Sequence, residues 1–247
     1  MNTIRNLFNY SVPLVAAATI LSVGAIIVAG IAAVTAYDIK LSRDSVEVTG
    51  SAKESVVSNA ARWVLNLETR TSGTDQSAGY TRLENATAKI VAYLDAQGFT
   101  DHETPAVNSF PSYTYPQNSE PVFTGYTISR QIIVRSSDVD KISELANTIE
   151  PFAGAGYTVS TQSLELTYAN LDEIRVRLLT AAIADAKARA AAIAKESGRS
   201  VGTLRNATSG VVQVLPQGGV DISDYGSYDT QSKNKDVMVT VRATFEL

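Results

Sequence analysis

The chain has no cysteine and one histidine, His102, among its 247 residues. Lack of cysteine excludes disulfides, thiolate zinc sites, iron–sulfur clusters and a thiol nucleophile. A single histidine excludes multi-histidine metal centres. Charge is missing from one long stretch: 32 positions between Arg5 and Asp38 carry none, and no acidic residue precedes Asp38. Residues 38–247 therefore hold all 25 acids and 20 of the 21 bases, a net charge of about −5. Nucleic acid requires a basic face, so no nucleic-acid partner is expected. What remains, 45% hydrophobic and 19% charged, is the composition of a globular protein.

The uncharged stretch is the clearest signal. Val12–Ala36 is 25 mostly apolar residues, and as a helix would span roughly 37 Å against a hydrocarbon core of ~30 Å. A cleaved signal peptide has a shorter apolar region of about 7–15 residues, although Val34-Thr35-Ala36 would pass as a cleavage site. Length favours a retained single-pass anchor. Arg5 with the terminal amine nearly balances Lys40 with Arg43. The short head and long folded tail then favour a signal-anchor with its C-terminal domain exported. The expected organisation is a head (1–11), a transmembrane helix (12–36), a linker (37–43) and a soluble domain (44–247).

Periodicity organises that domain. Ser45–Ala52 alternates as a strand, and in Asn59–Thr71 the residues Trp63, Leu65 and Leu67 share one face. Asp75–Gln97 reads as a helix with Tyr80, Leu83, Thr87, Ile90, Val91 and Leu94 in a stripe and Gly98 at its end. Phe99–Phe110 reads as a strand, Pro111–Pro121 as a polar loop and Thr124–Arg135 as a strand. Ser137 with Asp140 predicts the capped start of a short helix. Tyr157–Tyr168 is a strand. Asn170 with Glu173 predicts the start of the longest helix, Leu171–Ser197, with acids early and bases late. One or two strands follow in Val201–Leu215, then a flexible polar loop at Pro216–Lys235 and a last strand at Asp236–Leu247. The same order of elements recurs in 59–135 and 157–247, which predicts two βαββ units, in subunits 44–135 and 157–247, joined by the short helix. The class is α+β.

Few residues of the chain suggest reaction chemistry. Asp101-His102-Glu103 pairs a base with carboxylates, but no nucleophile is tied to it, and a histidine exposed in a turn is the expected reading. Gly154-Ala155-Gly156 leads into a strand and is a turn. Asp221, Ser223 and Gly226 imitate a calcium loop, but Tyr225 and Ser232 occupy two of its ligand positions. No catalytic, cofactor-binding or metal-binding residue is assigned, no cofactor is expected, and the chain is not expected to be an enzyme.

Two sets of residues suit contact. Ala18, Ser22, Ala25, Ala29, Ala32 and Ala36 follow one another at spacings of 4, 3, 4, 3 and 4, one stripe of small side chains. In lipid, where helices associate by close backbone approach, such a stripe suits self-association. Tyr113, Tyr115, Tyr225 and Tyr228 lie in the two long loops, where tyrosine offers contact area with a polar end.

Several patterns occur together in a fixed order: Val46-Glu47-Val48-Thr49-Gly50, Tyr113-Thr114-Tyr115 before Gly125-Tyr126-Thr127-Ile128-Ser129, the helix Thr180–Ala190 running on to Ala194 and Gly198, and the strand Val237–Leu247. With them the soluble part resembles the SIMPL-domain family of bacterial periplasmic proteins, which includes members linked to oxidative-stress defence and an immunogenic outer-envelope antigen. Ser58-Asn59 stands where that family usually has Pro-Asp. The resemblance implies an exported α/β domain without established catalytic residues, and some members assemble into large rings. The expected function is therefore a membrane-anchored protein of the bacterial cell envelope that self-assembles into a ring- or shell-like homo-oligomer. The alternatives are an envelope module that binds a partner or glycan through the tyrosine-bearing loops, and a stress-defence protein.

Overall fold

The computed structural model describes residues 3–41, 44–117, 120–220 and 223–247; of residues 3–14 and 38–41 only the backbone path is described. Parts of the head, the linker and both long loops, including Asp221, therefore lie outside the described residues. An N-terminal helix, α1 (Thr3–Leu41), leads into a sheet-rich domain. By contact density the chain divides into one unit of Ser51–Ala184 with Ser209–Val241 and another of Met1–Gly50, Asp185–Thr208 and Arg242–Leu247.

The first unit contains a five-stranded sheet. Its strands are β2 (Ala60–Ser72), β3 (His102–Glu103), β4 (Asn108–Thr114), β5 (Val122–Ser136) and β6 (Thr158–Thr167), all pairing antiparallel. β2 lies between β5 and β6, while β3 and β4 share the other edge of β5. The alternation expected for β2 is observed: Trp63, Leu65 and Leu67 are buried on one face, and Arg62, Asn66 and Glu68 stand between them. Ile128, Ile132 and Val134 continue that face on β5.

Helix α2 (Gln76–Ala96) covers this face with Leu83, Ile90 and Leu94, and α3 (Val139–Asn147) adds Val139, Ile142 and Ala146. Phe152, in the turn after α3, meets Trp63 and Tyr93 edge-on at 5.7 and 5.3 Å. Each fully buried aliphatic or aromatic side chain here contributes about 1.5–3 kcal/mol of transfer free energy. Asp75 caps α2 by accepting from the Ala78 amide. The cap of α3 is Asp138, whose carboxylate accepts from Lys141 N, and not the expected Ser137. Ser136 Oγ instead accepts from Asp138 N at 3.0 Å, one residue earlier than a capping box allows.

The second sheet comprises β1 (Ser45–Val57), β7 (Leu204–Ser209), β8 (Gln213–Pro216) and β9 (Asn234–Glu246), in the order β1-β9-β7 with β8 also on β9. β9 alternates as expected, burying Val237, Val239, Val241, Ala243 and Phe245. Helix α4 (Leu171–Glu196) buries one residue per turn, Ile174, Leu178, Ala182, Ala186, Ala190 and Ala194. Ile193, beside that stripe, is exposed.

One strand and one loop expectation are corrected. Phe99–Phe110 is not one strand but the short β3 and the start of β4, which then runs through Pro111 into the expected loop. Proline lacks an amide hydrogen and is confined to edge strands, which is what β4 is. Ser58, at the family's usual proline position, uses its amide hydrogen to donate to Lys233 O at 2.8 Å.

Candidate functional site

The apolar helix comes first. Val15–Tyr37 is long and apolar enough to cross a membrane. All of its side chains are exposed, including Ala18, Ser22, Ala25, Ala29, Ala32 and Ala36. Its hydroxyls are satisfied within the helix: Ser22 donates to Ala18 O, Thr19 to Val15 O at 2.6 Å and Thr35 to Ile31 O at 2.9 Å. Such back-bonding removes the polar groups that lipid would otherwise leave unsatisfied.

The four loop tyrosines divide into two pairs on different sheets. Tyr113 is on β4 and Tyr115 directly follows it. A register shift between Ser112 and Tyr113 leaves Thr124 of β5 without an opposite residue. That bulge inverts the alternation, so Phe123 and Tyr126, three apart, come to one side. Tyr113 meets Phe123 edge-on at 5.8 Å, and Phe123 meets Tyr126 at 5.2 Å. Tyr126 in turn packs on the core. The backbone cause is Gly125, with φ +141°: a Cβ there would stand 1.8 Å from Thr71 O. An aromatic ladder thus runs from the core to an exposed tip, where Tyr115 is 76% exposed and Val122, opposite Thr114, is exposed as well. Tyr113 and Tyr115 are legible in the sequence, but Phe123 and Tyr126 are not, because the bulge breaks the period-2 pattern.

Tyr225 and Tyr228 belong to the loop between β8 and β9, and this loop is not the flexible one expected. It folds back along β8, with Tyr228 bridging to Val214, Ser227 O accepting from Val214 N at 2.7 Å and Asp229 N donating to Val214 O at 2.8 Å. Buried Gln213 donates from Nε2 to Ser223 O and accepts from Ser227 N. Thr230 O accepts from Leu166 N, which ties the loop to β6. Tyr225 projects at 97% exposure. No ring contact among the described residues joins this pair to Tyr113 or Tyr115.

Two ion pairs root that loop. Lys235, fully buried, donates to Asp229 O at 2.6 Å and to Asp229 Oδ2 at 3.0 Å. Burial raises the Asp229 pKa, but the Gln231 amide, Lys235 and Ser232 outweigh it and the net direction is down. Asp236 accepts from Ser55 Oγ at 2.6 Å, Gly218 N at 2.9 Å and Lys53 Nζ at 3.1 Å. Those bonds, from Ser55 and then Gly218, lower it to about 2 against the opposing effect of burial. Both charges are enclosed and fully partnered, so they fasten the loop and offer no base or nucleophile to a substrate. The sequence assigned these residues no role, since Lys235-Asp236 sits where the expected loop meets the expected strand.

His102 is in β3 and not in a turn: Nε2 lies 3.0 Å from Asp95 Oδ1 on α2, while its sequence neighbours Asp101 and Glu103 pair with Arg135. The pairing pins α2 to the sheet edge. A cleft of about 610 Å³ is lined by Asn59, Arg62, Phe99, Asp101, Arg135 and Ser137 among others. Its arginines are compensated, Arg62 by Glu165 at 3.1 Å and Arg135 by Glu103 at 3.1 Å. Among the described residues no group of three or more His, Asp or Glu is placed to hold a metal ion.

A family model described as SIMPL, protein of unknown function (DUF541), matches residues 46–245. No curated protein matches the chain.

Proposed function

We propose, from the premise that the chain belongs to the SIMPL family, that it is a membrane-anchored bacterial envelope protein whose exported domain serves as a self-assembling scaffold and catalyses no reaction. The observation that carries the reading is Val15–Tyr37, a helix with mean hydropathy 2.4 and no described side chain covered by the protein. An apolar surface of that length left in water would be an aggregation liability; lipid resolves it. Inside the membrane, the small-residue stripe from Ala18 to Ala36 gives copies of the helix a close-packing face. Outside, the aromatic tip of β4 and β5 gives each domain an apolar contact.

The test is the mass of the detergent-extracted particle. A ring- or shell-like homo-oligomer of many chains is expected. Replacing Ala25 and Ala29 together by isoleucine should shrink or loosen it without preventing membrane insertion. A monomeric wild-type particle would refute the scaffold reading. The ladder Tyr113–Phe123–Tyr126 favours a second reading, an envelope module that grips a partner or glycan at the exposed tip. In that case the particle is monomeric and replacing Tyr113 and Tyr115 by alanine abolishes capture of the partner.

A further inference from the structure

Every arginine with a described side chain pairs with an aspartate or glutamate, except Arg82 and Arg130. The Nε of Arg130 is closed off from solvent. Arg82 is different: it lines an open cleft of about 540 Å³ within the first unit.

Arg82 lies on the second turn of α2 and reaches across to the sheet. Its Nη1 donates to Thr69 Oγ1 at 2.9 Å, and to Arg70 O and Gly156 O, each at 3.4 Å. All three acceptors are neutral, so they fix the guanidinium without compensating its charge. Thr69 is itself buried and donates to Gly156 O at 2.7 Å, which completes the anchor. Gly156, with φ +83°, makes the room: a Cβ there would stand 2.9 Å from Arg82 Cδ and 3.1 Å from Nε. Nε and Nη2 of Arg82 have no acceptor among the described residues, and neither atom is enclosed. Glu68, Arg70, Tyr157 and Thr158 complete the wall. Arg70 and Glu68 pair with each other at 3.3 Å. The lining therefore carries one uncompensated positive charge, that of Arg82.

We infer that this cleft binds the carboxylate of a small organic acid through Arg82. Arginine keeps its charge at any physiological pH, and water satisfies its N–H groups without supplying a counter-charge. The Nε–Nη2 edge presents two parallel N–H donors at the spacing of the two oxygens of a carboxylate. Because Nη1 already holds the guanidinium in place, a ligand gains both bonds with little loss of side-chain freedom. One charge and one fork suit a monoanion. A dianion would bring a second charge that nothing in the lining offsets, and Glu68 would oppose it. The volume falls within the range of about 300–1,000 Å³ usual for small-molecule sites.

The experiment is an NMR titration of the full chain in detergent at neutral pH, followed at Arg82 Nε–Hε and at the Thr69 and Gly156 amides. The probes are sodium acetate, sodium sulfate, sodium chloride and N-acetylglutamate α-amide, at matched ionic strength. Acetate should shift these resonances saturably and chloride should not. Arg82→Gln should abolish the shift at the two amides. Arg82→Lys, which keeps the charge but loses the fork, should weaken acetate binding about five-fold, the loss of one hydrogen bond. Absence of a saturable acetate shift in the wild-type protein overturns the site outright, whatever the variants do. Unchanged acetate binding by Arg82→Lys overturns the fork, and tighter binding of sulfate than of acetate overturns the assignment to a monoanion. Tighter binding of the blocked glutamate, a stand-in for a protein side chain, overturns the assignment to a free acid.

Discussion

Asp236 should make the protein sensitive to acid in a defined window. Its carboxylate is 2% exposed and accepts from Ser55, Gly218 and Lys53. Together these hold its pKa at about 2, below the ordinary 3.8. A lowered carboxylate contributes stability that is fully present above pH 3.8 and is lost as pH falls through about 2. The displacement corresponds to roughly 2 kcal/mol, the lower side of the conversion because Lys53 is half exposed and screened while Ser55 and Gly218 are not. Asp236→Asn removes that dependence and adds a second cost. The amide oxygen can still accept from Gly218 N and Lys53 Nζ, but the amide nitrogen then faces Ser55 Oγ, which must accept instead of donate, and Lys53 loses its charged partner, a cost of about 1 kcal/mol. The assay is urea unfolding followed by the fluorescence of Trp63, the one tryptophan and fully buried. Measured at a series of pH values from 5 to 2, wild type should lose roughly 2 kcal/mol more than the variant. Asp229, also lowered, titrates in both proteins and cancels in the difference. Parallel profiles would refute the assignment of charge and contacts to Asp236.

Three further outcomes are expected. Gly125→Ala should destabilise by about 2–4 kcal/mol, because a Cβ would meet Thr71 O and φ would be strained; an unchanged urea midpoint would remove the bulge as the cause of the aromatic ladder. Ala190→Leu should cost about 1–3 kcal/mol by overpacking, since Ala190 is fully buried on α4; a neutral melting temperature would show that the stripe tolerates larger side chains. Tyr115→Ala with Tyr225→Ala should leave stability within about 0.5 kcal/mol, because both project into solvent; a larger loss in calorimetry would mean that they pack locally and are not contact residues.

Much of the architecture was legible wherever one face of an element alternates cleanly. Trp63, Leu65 and Leu67 on β2, Leu83, Thr87, Ile90 and Leu94 on α2 and the final strand β9 all carry their period in the residues themselves. Tyr80, expected in the α2 stripe, is instead exposed, and Gly79 is buried in its place. Legibility stopped where a single residue alters the period or its partner lies far along the chain. The extra Thr124 on β5 gathers Phe123 and Tyr126, and no local pattern announces it. Arg130 read as one polar position in an alternating strand, and only the register against Leu67 shows that it faces inward. The burial of Lys235 and Asp236, at the end of the expected loop and the start of the expected strand, was not legible because their partners Asp229, Ser55 and Lys53 are brought to them by folding.

The repeated order of elements shows the limit most clearly. In the first stretch β5 carries two short strands, β3 and β4, on one edge and β2 on the other. In the second, β9 carries β7 and β8 on one side, repeating that arrangement. Its other neighbour is β1, where an exact repeat would have placed β6. β6 pairs with β2 instead, in the sheet of the first stretch. The echo between 44–135 and 157–247 is thus one of connectivity, and each sheet is completed by a strand from the other stretch. Neither stretch holds all the strands of its own sheet, so each expressed alone would expose a strand edge that its missing partner normally covers. Sequence order can show that elements repeat; which strand closes which sheet depends on free edges that exist only once both sheets have formed.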